Sequence, residues 1–186
     1  MKRIILFSVL ITLLFRLEAK KLPNIVVYLA DDQSQADGSV YGAKVLKTPT
    51  AEMLAANGLT FDNAFVATPS CAPSRGALLT GLMPAKNGAE CNHTYPAPSI
   101  TLLTENLQKS GYKVLGFGKV AHGVMNKEMG EDGRYDYHSN PSVDLYQHVT
   151  EYFENNNPEG PICVMVGDRR PHVPWTTDNI YNPNEL

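Results

Sequence analysis

Apolar positions fall into short runs of strand length, separated by stretches at helical spacing and by polar loops marked with glycine and proline. After Pro23, the run Asn24 to Ala30 (NIVVYLA) is β-branched and ends at two aspartates, Asp31 and Asp32. A polar loop through Gly38 and Gly42 follows. Thr48-Pro49 then predicts a helix start, because proline suits the first helical position, and AEMLAAN carries the helix to Gly58. Phe61 to Val66 (FDNAFV) alternates like a strand, and SCAPSRGALLTG predicts a loop feeding a short helix that Gly81 ends. Ser99 to Lys109 predicts a helix capped by Ser99 and stopped by Gly111, before a strand over Tyr112 to Phe117 and the element GKVAHG. Gly123 to Asn140 is polar and glycine-rich, an extended loop. Ser142 to Asn155 predicts a helix and Pro161 to Gly167 (PICVMVG) a buried strand, followed by DRRPHVPW.

Strands alternating with helices predict an α/β fold, a mostly parallel sheet sandwiched by helices. In such sheets a site lies beyond the carboxyl ends of the strands. Asp31-Asp32, Lys119 with His122, and Arg169 to His172 each follow a strand, and Cys71 follows another by a short loop. That convergence predicts a single site.

The chain's 186 residues suffice for one domain. Net charge is -3 with Lys and Arg scattered, which argues against a nucleic-acid partner. Met1-Lys2-Arg3, the twelve-residue apolar run Ile4 to Phe15, and Leu17-Glu18-Ala19 predict a signal peptide over residues 1–20. The protein is then secreted or periplasmic, with no stable membrane insertion after cleavage; a retained N-terminal anchor is the alternative. Of the three cysteines, Cys163 sits in an apolar run as a small buried hydrophobe, and nothing supports a Cys91–Cys163 bridge.

Adjacent carboxylates such as Asp31 and Asp32 suit a hard divalent cation. Alone, they suit a turn or a helix cap better. Cys71 enters a helix N-terminus near Arg75, a positive field that favours an anion.

The string from Cys71 to Gly81, CAPSRGALLTG, resembles the signature of the formylglycine-dependent (type I) sulfatase family. The Asp pair after the first strand, the GK-x-x-H element and PHVPW occur in the family's order, so the resemblance runs from about Pro23 to Trp175. NGAECNHTY and DDQS resemble the heparan N-sulfatase (sulfamidase) group, and GKVAHG the iduronate-2-sulfatase group. The resemblance implies an alkaline-phosphatase-like fold, and a sulfatase acting on esters or N-sulfates of sulfated sugars. It implies Ca²⁺ as cofactor, and a separate maturing enzyme as partner that oxidises Cys71 to formylglycine.

By the same resemblance, the formylglycine hydrate attacks sulfur with one hydroxyl. The other hydroxyl then loses its proton, the aldehyde re-forms and sulfate leaves. Asp31 and Asp32, with the side chain at 71, match metal ligands. Arg75 holds the nucleophile, Lys119 contacts sulfate oxygens, and His122 takes the diol's proton. His172 contacts the sulfate or protonates the leaving atom. Taken singly, Lys119 reads better as a solvated loop lysine, while His122 has a surface histidine and His172 a loop-shaping residue as its alternative. His93 faces substrate in the sulfamidase-like alternative and is otherwise a loop residue. Asn92-His93-Thr94 is also a glycosylation sequon.

Family members are longer and carry further metal ligands and a C-terminal sheet domain. Residues 21–186 are therefore expected to be the N-terminal part of a catalytic domain, truncated before its C-terminal part and inactive alone. A phosphonate monoester or phosphodiester hydrolase of the same superfamily, or an inactive carbohydrate-binding protein, are the competing functions.

Overall fold

The computed structural model describes residues 21–122, 134–139 and 144–172. Strand β1 (Ile25–Asp31) is followed by two 3-10 turns, Gln35–Asp37 and Ser39–Tyr41. Helices α1 (Pro49–Asn57), α2 (Cys71–Thr80), α3 (Pro84–Asn87) and α4 (Leu103–Lys109) come next. Strands β2 (Lys113–Gly118) and β3 (Tyr137–Ser139), helix α5 (Leu145–Asn155) and strand β4 (Ile162–Pro171) complete the order. The strands form one sheet, β1-β4-β2-β3, with every pair parallel. Parallel neighbours need crossovers: α1 to α4 lie between β1 and β2, and α5 lies between β3 and β4.

Side chains alternate between two cores. Val114, Cys163 and Met165 pack with Leu79 of α2, Leu102 and, at the edge, Leu107 of α4. Leu115, Phe117, Val164 and Val166 pack on the other face against Leu145, Val149 and Tyr152 of α5. Helices thus cover both faces, and the inner strands are apolar runs because neither side meets water. Edge strand β1 is less covered: Val26 and Tyr28 are 72% and 52% exposed. Helix ends follow local chemistry. Gly81, at φ 68, closes α2 by donating its N–H to the Ala77 carbonyl at 2.8 Å. Asp144 caps α5, its Oδ1 accepting from the Tyr146 and Gln147 amides at 2.8 and 3.3 Å.

Several boundaries differ from expectation. Residues 61–66 form no strand; Phe61 and Phe65 are 68% and 90% exposed, and alternation without a neighbouring strand stays loop. Cys71 therefore follows no strand, and is itself the first residue of α2. Helix α4 starts at Leu103 rather than Ser99, where the Leu102 N–H donates to Glu105 Oε2 at 2.6 Å. β3 lies within the expected loop, and β4 runs on through Arg169 and Arg170 to Pro171.

The cysteines are all free, with Cys163 fully buried. Among the described residues no helix is long and apolar enough to cross a membrane. The expected signal peptide lies outside the described residues, as do positions 123–133, 142–143 and Val173 to Trp175.

Candidate functional site

Strand register places the chemistry. Gly118, the last residue of β2, pairs with Gly167, and a shift after Ala30 sets Asp31 opposite Pro171, so β1 and β4 end together just beyond the end of β2. Asp31 is 3% exposed and lies over the α2 side of the sheet, between two cations. Arg75 Nη2 donates to its Oδ1 at 3.1 Å, and Lys119 Nζ to its Oδ2 at 2.5 Å. Arg75 Nη1 also donates to the Lys119 carbonyl and, at 3.4 Å, to that of Val120. Burial pushes the Asp31 carboxyl towards protonation. The hydrogen bonds and charges of Lys119 and Arg75 outweigh burial and hold it below the ordinary carboxylate range.

Lys119 is brought in by a close backbone crossing. Its N–H donates to the Gly167 carbonyl at 2.8 Å. A Cβ on Gly167 would overlap the Lys119 carbonyl and the Val120 nitrogen, and Gly118 sits at φ 71. Gly167→Ala must therefore displace the Lys119–Val120 backbone from β4. We expect it to cost about 2–4 kcal/mol, read as a lower urea midpoint, with backbone strain as the cause.

His122 follows on the same loop. Its Nδ1 is buried without a hydrogen-bond partner among the described residues. The His93 ring stands edge-on to it, centroids 4.7 Å apart. Burial first, then the charge of Lys119 and the nearby His93, lower its proton affinity below the usual histidine value. A neutral imidazole there can accept a proton. Cys71 is half-buried one helical turn before Arg75, and its sulfur lies 3.7 Å from Asn92 Oδ1. His172 Nε2 lies 3.7 Å from Asp32 Oδ2.

The expected residues thus fall into linked groups. Asp31, Arg75 and Lys119 touch directly, His122 and His93 pair beside them, and Asp32 pairs with His172. No hydrogen bond joins Cys71 to either aspartate among the described residues. Two features went unforeseen. Asn92 is the polar neighbour of Cys71; in the sequence it belonged to NGAECNHTY and the sequon, with no role of its own. Asp168, 4% exposed on the α5 face, accepts from the Tyr28 and Tyr146 hydroxyls at 3.1 and 2.5 Å, and from the Arg170 amide at 2.9 Å. It braces the end of β4 from behind the site; DRRPH shows the residue but not its partners.

Asp31 and Asp32 offer the hard oxygens that Ca²⁺ prefers, yet they diverge. Asp32, at φ 65, is exposed, while both Asp31 oxygens are engaged. Among the described residues no group of three or more His, Cys, Asp or Glu is placed to hold a metal, against roughly 6–8 oxygens around calcium. The donor set fits in kind and falls short in number.

Comparison with known proteins gives this cluster its context. An ulvan-active sulfatase of Formosa agariphila is 46% identical over 97 residues, 52% of this chain and 20% of that one. Human N-acetylgalactosamine-6-sulfatase is 34% identical over 181 residues, covering 81% of this chain and 34% of its own length. The chain thus spans about a third or less of these relatives. A solved structure of a protein bound to its substrate D-glucosamine-2-N,6-O-disulfate superposes with TM-score 0.69 at 22% identity, over 84% of this chain and 36% of that one. At that identity the likeness shows the shared fold, the alkaline-phosphatase-like parallel sheet. The sulfatase family model matches residues 23–185, from just before β1 past the end of β4, and the chain belongs to the sulfatase family.

Proposed function

We propose that the full gene product hydrolyses sulfate esters or N-sulfates of sulfated sugars, using the side chain at position 71 after a separate maturing enzyme has oxidised Cys71 to formylglycine. The observation that carries this is the buried Arg75–Asp31–Lys119 cluster one turn along the helix that Cys71 opens. Two fixed cations beside a helix N-terminus suit an anionic ester whose charge grows in the transition state. Its relatives' names, an ulvan-active sulfatase and an N-acetylgalactosamine-6-sulfatase, support a sulfated carbohydrate as substrate.

A formylglycine hydrate at 71 supplies an oxygen nucleophile for sulfur and a second hydroxyl through which sulfate is afterwards expelled. Neutral His122 takes the proton. Arg75 and Lys119 balance the developing charge, Arg75 as a fork and Lys119 as a point charge. His172, beside Asp32, protonates the departing oxygen or nitrogen, and His93 lines the substrate side of His122. Asp31, Asp32 and position 71 would contribute to holding a calcium ion, which would supply Lewis-acid polarisation of the bound ester. Among the described residues two carboxylates under-fill such a site, and the 186-residue polypeptide by itself is expected to be inactive. Export through residues 1–20 to a secreted or periplasmic location belongs to the same proposal.

The test is turnover by the full gene product made beside a maturing enzyme. Sulfate release from aryl sulfate and from sulfated N-acetylhexosamines is expected, with aryl phosphonate esters slower. Faster turnover of phosphonate esters would transfer the site to the competing hydrolase class. Absence of any ester hydrolysis would leave only carbohydrate binding.

A further inference from the structure

The turn from Cys91 to Thr94 approaches the site from outside α2. The Thr94 amide donates to the Cys91 carbonyl at 3.2 Å. The Thr94 hydroxyl donates to the same carbonyl at 2.6 Å and accepts from the Cys91 amide at 3.1 Å. The turn is pinned at both ends, and its two central residues are Asn92 and His93. His93 has φ 63; with Asp32 it is one of two non-glycine residues in the left-handed region among the described residues. That conformation disfavours a side chain, and here it accompanies the ring contact on His122.

Asn92 Oδ1 accepts from the His93 amide at 3.2 Å and receives the Cys71 S–H at 3.7 Å. Both neighbours are donors, which sets the amide oxygen on that side. Its Nδ2 carries two N–H donors that meet no acceptor among the described residues. Asn92 is exposed, so these two donors face solvent, on the amide whose oxygen meets Cys71, where an arriving anion can exchange for water.

Resting on the sulfatase function above, we propose that Asn92 is a further substrate-contacting residue, its Nδ2 donating to a sulfate oxygen held against position 71. The competing role is a turn residue that merely shapes the loop. Asn92→Asp and Asn92→Ala separate the two. Aspartate keeps the shape and the acceptor that holds the turn, but replaces two donors with negative charge. Alanine removes donor and acceptor alike. A shaping residue tolerates aspartate better; one that faces sulfate tolerates alanine better.

In the full gene product, kcat/KM for p-nitrophenyl sulfate is expected to fall about tenfold in N92A and about a hundredfold in N92D, with thermal midpoints close to wild type. A second readout does not need turnover. In protein made without the maturing enzyme, inorganic sulfate should slow alkylation of Cys71, followed by peptide mass spectrometry. That protection should weaken in N92A and vanish in N92D. N92D as active as N92A, or sulfate protection that is absent in wild type or unchanged in N92D, overturns the role of Asn92. Wild-type protein that shows sulfate protection but no sulfate ester turnover counts against the proposed reaction and leaves the contact standing.

Discussion

Replacing Cys71 by Ala is expected to lower kcat for sulfate esters by roughly 10⁵-fold while leaving the thermal midpoint nearly unchanged. The separation of the two effects follows from the geometry. The thiol is half-buried and its polar contact is a long one to Asn92, so its loss removes little packing and one weak hydrogen bond. Everything the side chain contributes is chemical. Cys71→Ser, made without a maturing enzyme, distinguishes the nucleophile's two tasks. A lone hydroxyl can attack sulfur but has no second hydroxyl through which to release the product, so one equivalent of leaving group should appear and the serine should retain one SO₃ group by mass. Residual steady turnover in the alanine variant above about 1% of wild type would remove position 71 from the reaction.

The strands that hold this site were legible because their information is local. YKVLGF and PICVMVG are apolar on both faces, and both faces meet helices; NIVVYLA is a β-branched run of strand length, though at the sheet edge it leaves Val26 and Tyr28 exposed. What was not legible depends on partners distant in sequence. FDNAFV has the right alternation, but no strand lies beside it, so Phe65 faces solvent. Three residues over Tyr137 to Ser139 have no strand signal of their own and are held by pairing with Leu115 to Phe117. β4 continues through two arginines because β1 still offers Pro171 a partner at Asp31.

The same distinction runs through the site. Motif positions identify Asp31, Arg75 and Lys119 as candidates, yet 44 and 88 residues separate Asp31 from the two cations that meet it. Adjacent aspartates read alike in sequence. The left-handed backbone at Asp32 sends one carboxylate inward to cations and the other outward beside His172. Asn92 carries no motif of its own kind, since only the fold of a four-residue turn turns it towards Cys71.

Asp31→Asn should be among the most destabilising exchanges at this end of the sheet, about 3 kcal/mol near neutral pH. Asparagine matches the shape, so no cavity opens and the effect isolates charge. Arg75 and Lys119, 8% and 13% exposed, would each lose their carboxylate partner and keep their desolvation. The estimate sits at the low end for a broken buried pair because Lys119 retains some water. The pH dependence has a definite sign. Asp31 titrates lower in the folded chain than in the unfolded one. Its stabilisation is therefore complete above about pH 4 and disappears as pH falls through the depressed folded value. Wild type and D31N, unfolded in urea with chelator present, should differ most near neutral pH and converge on acidification. Equal stability near neutral pH would mean that the three-residue ion cluster does not hold the strand ends together. A gap that persists at acid pH would mean that the carboxylate acts through shape rather than charge.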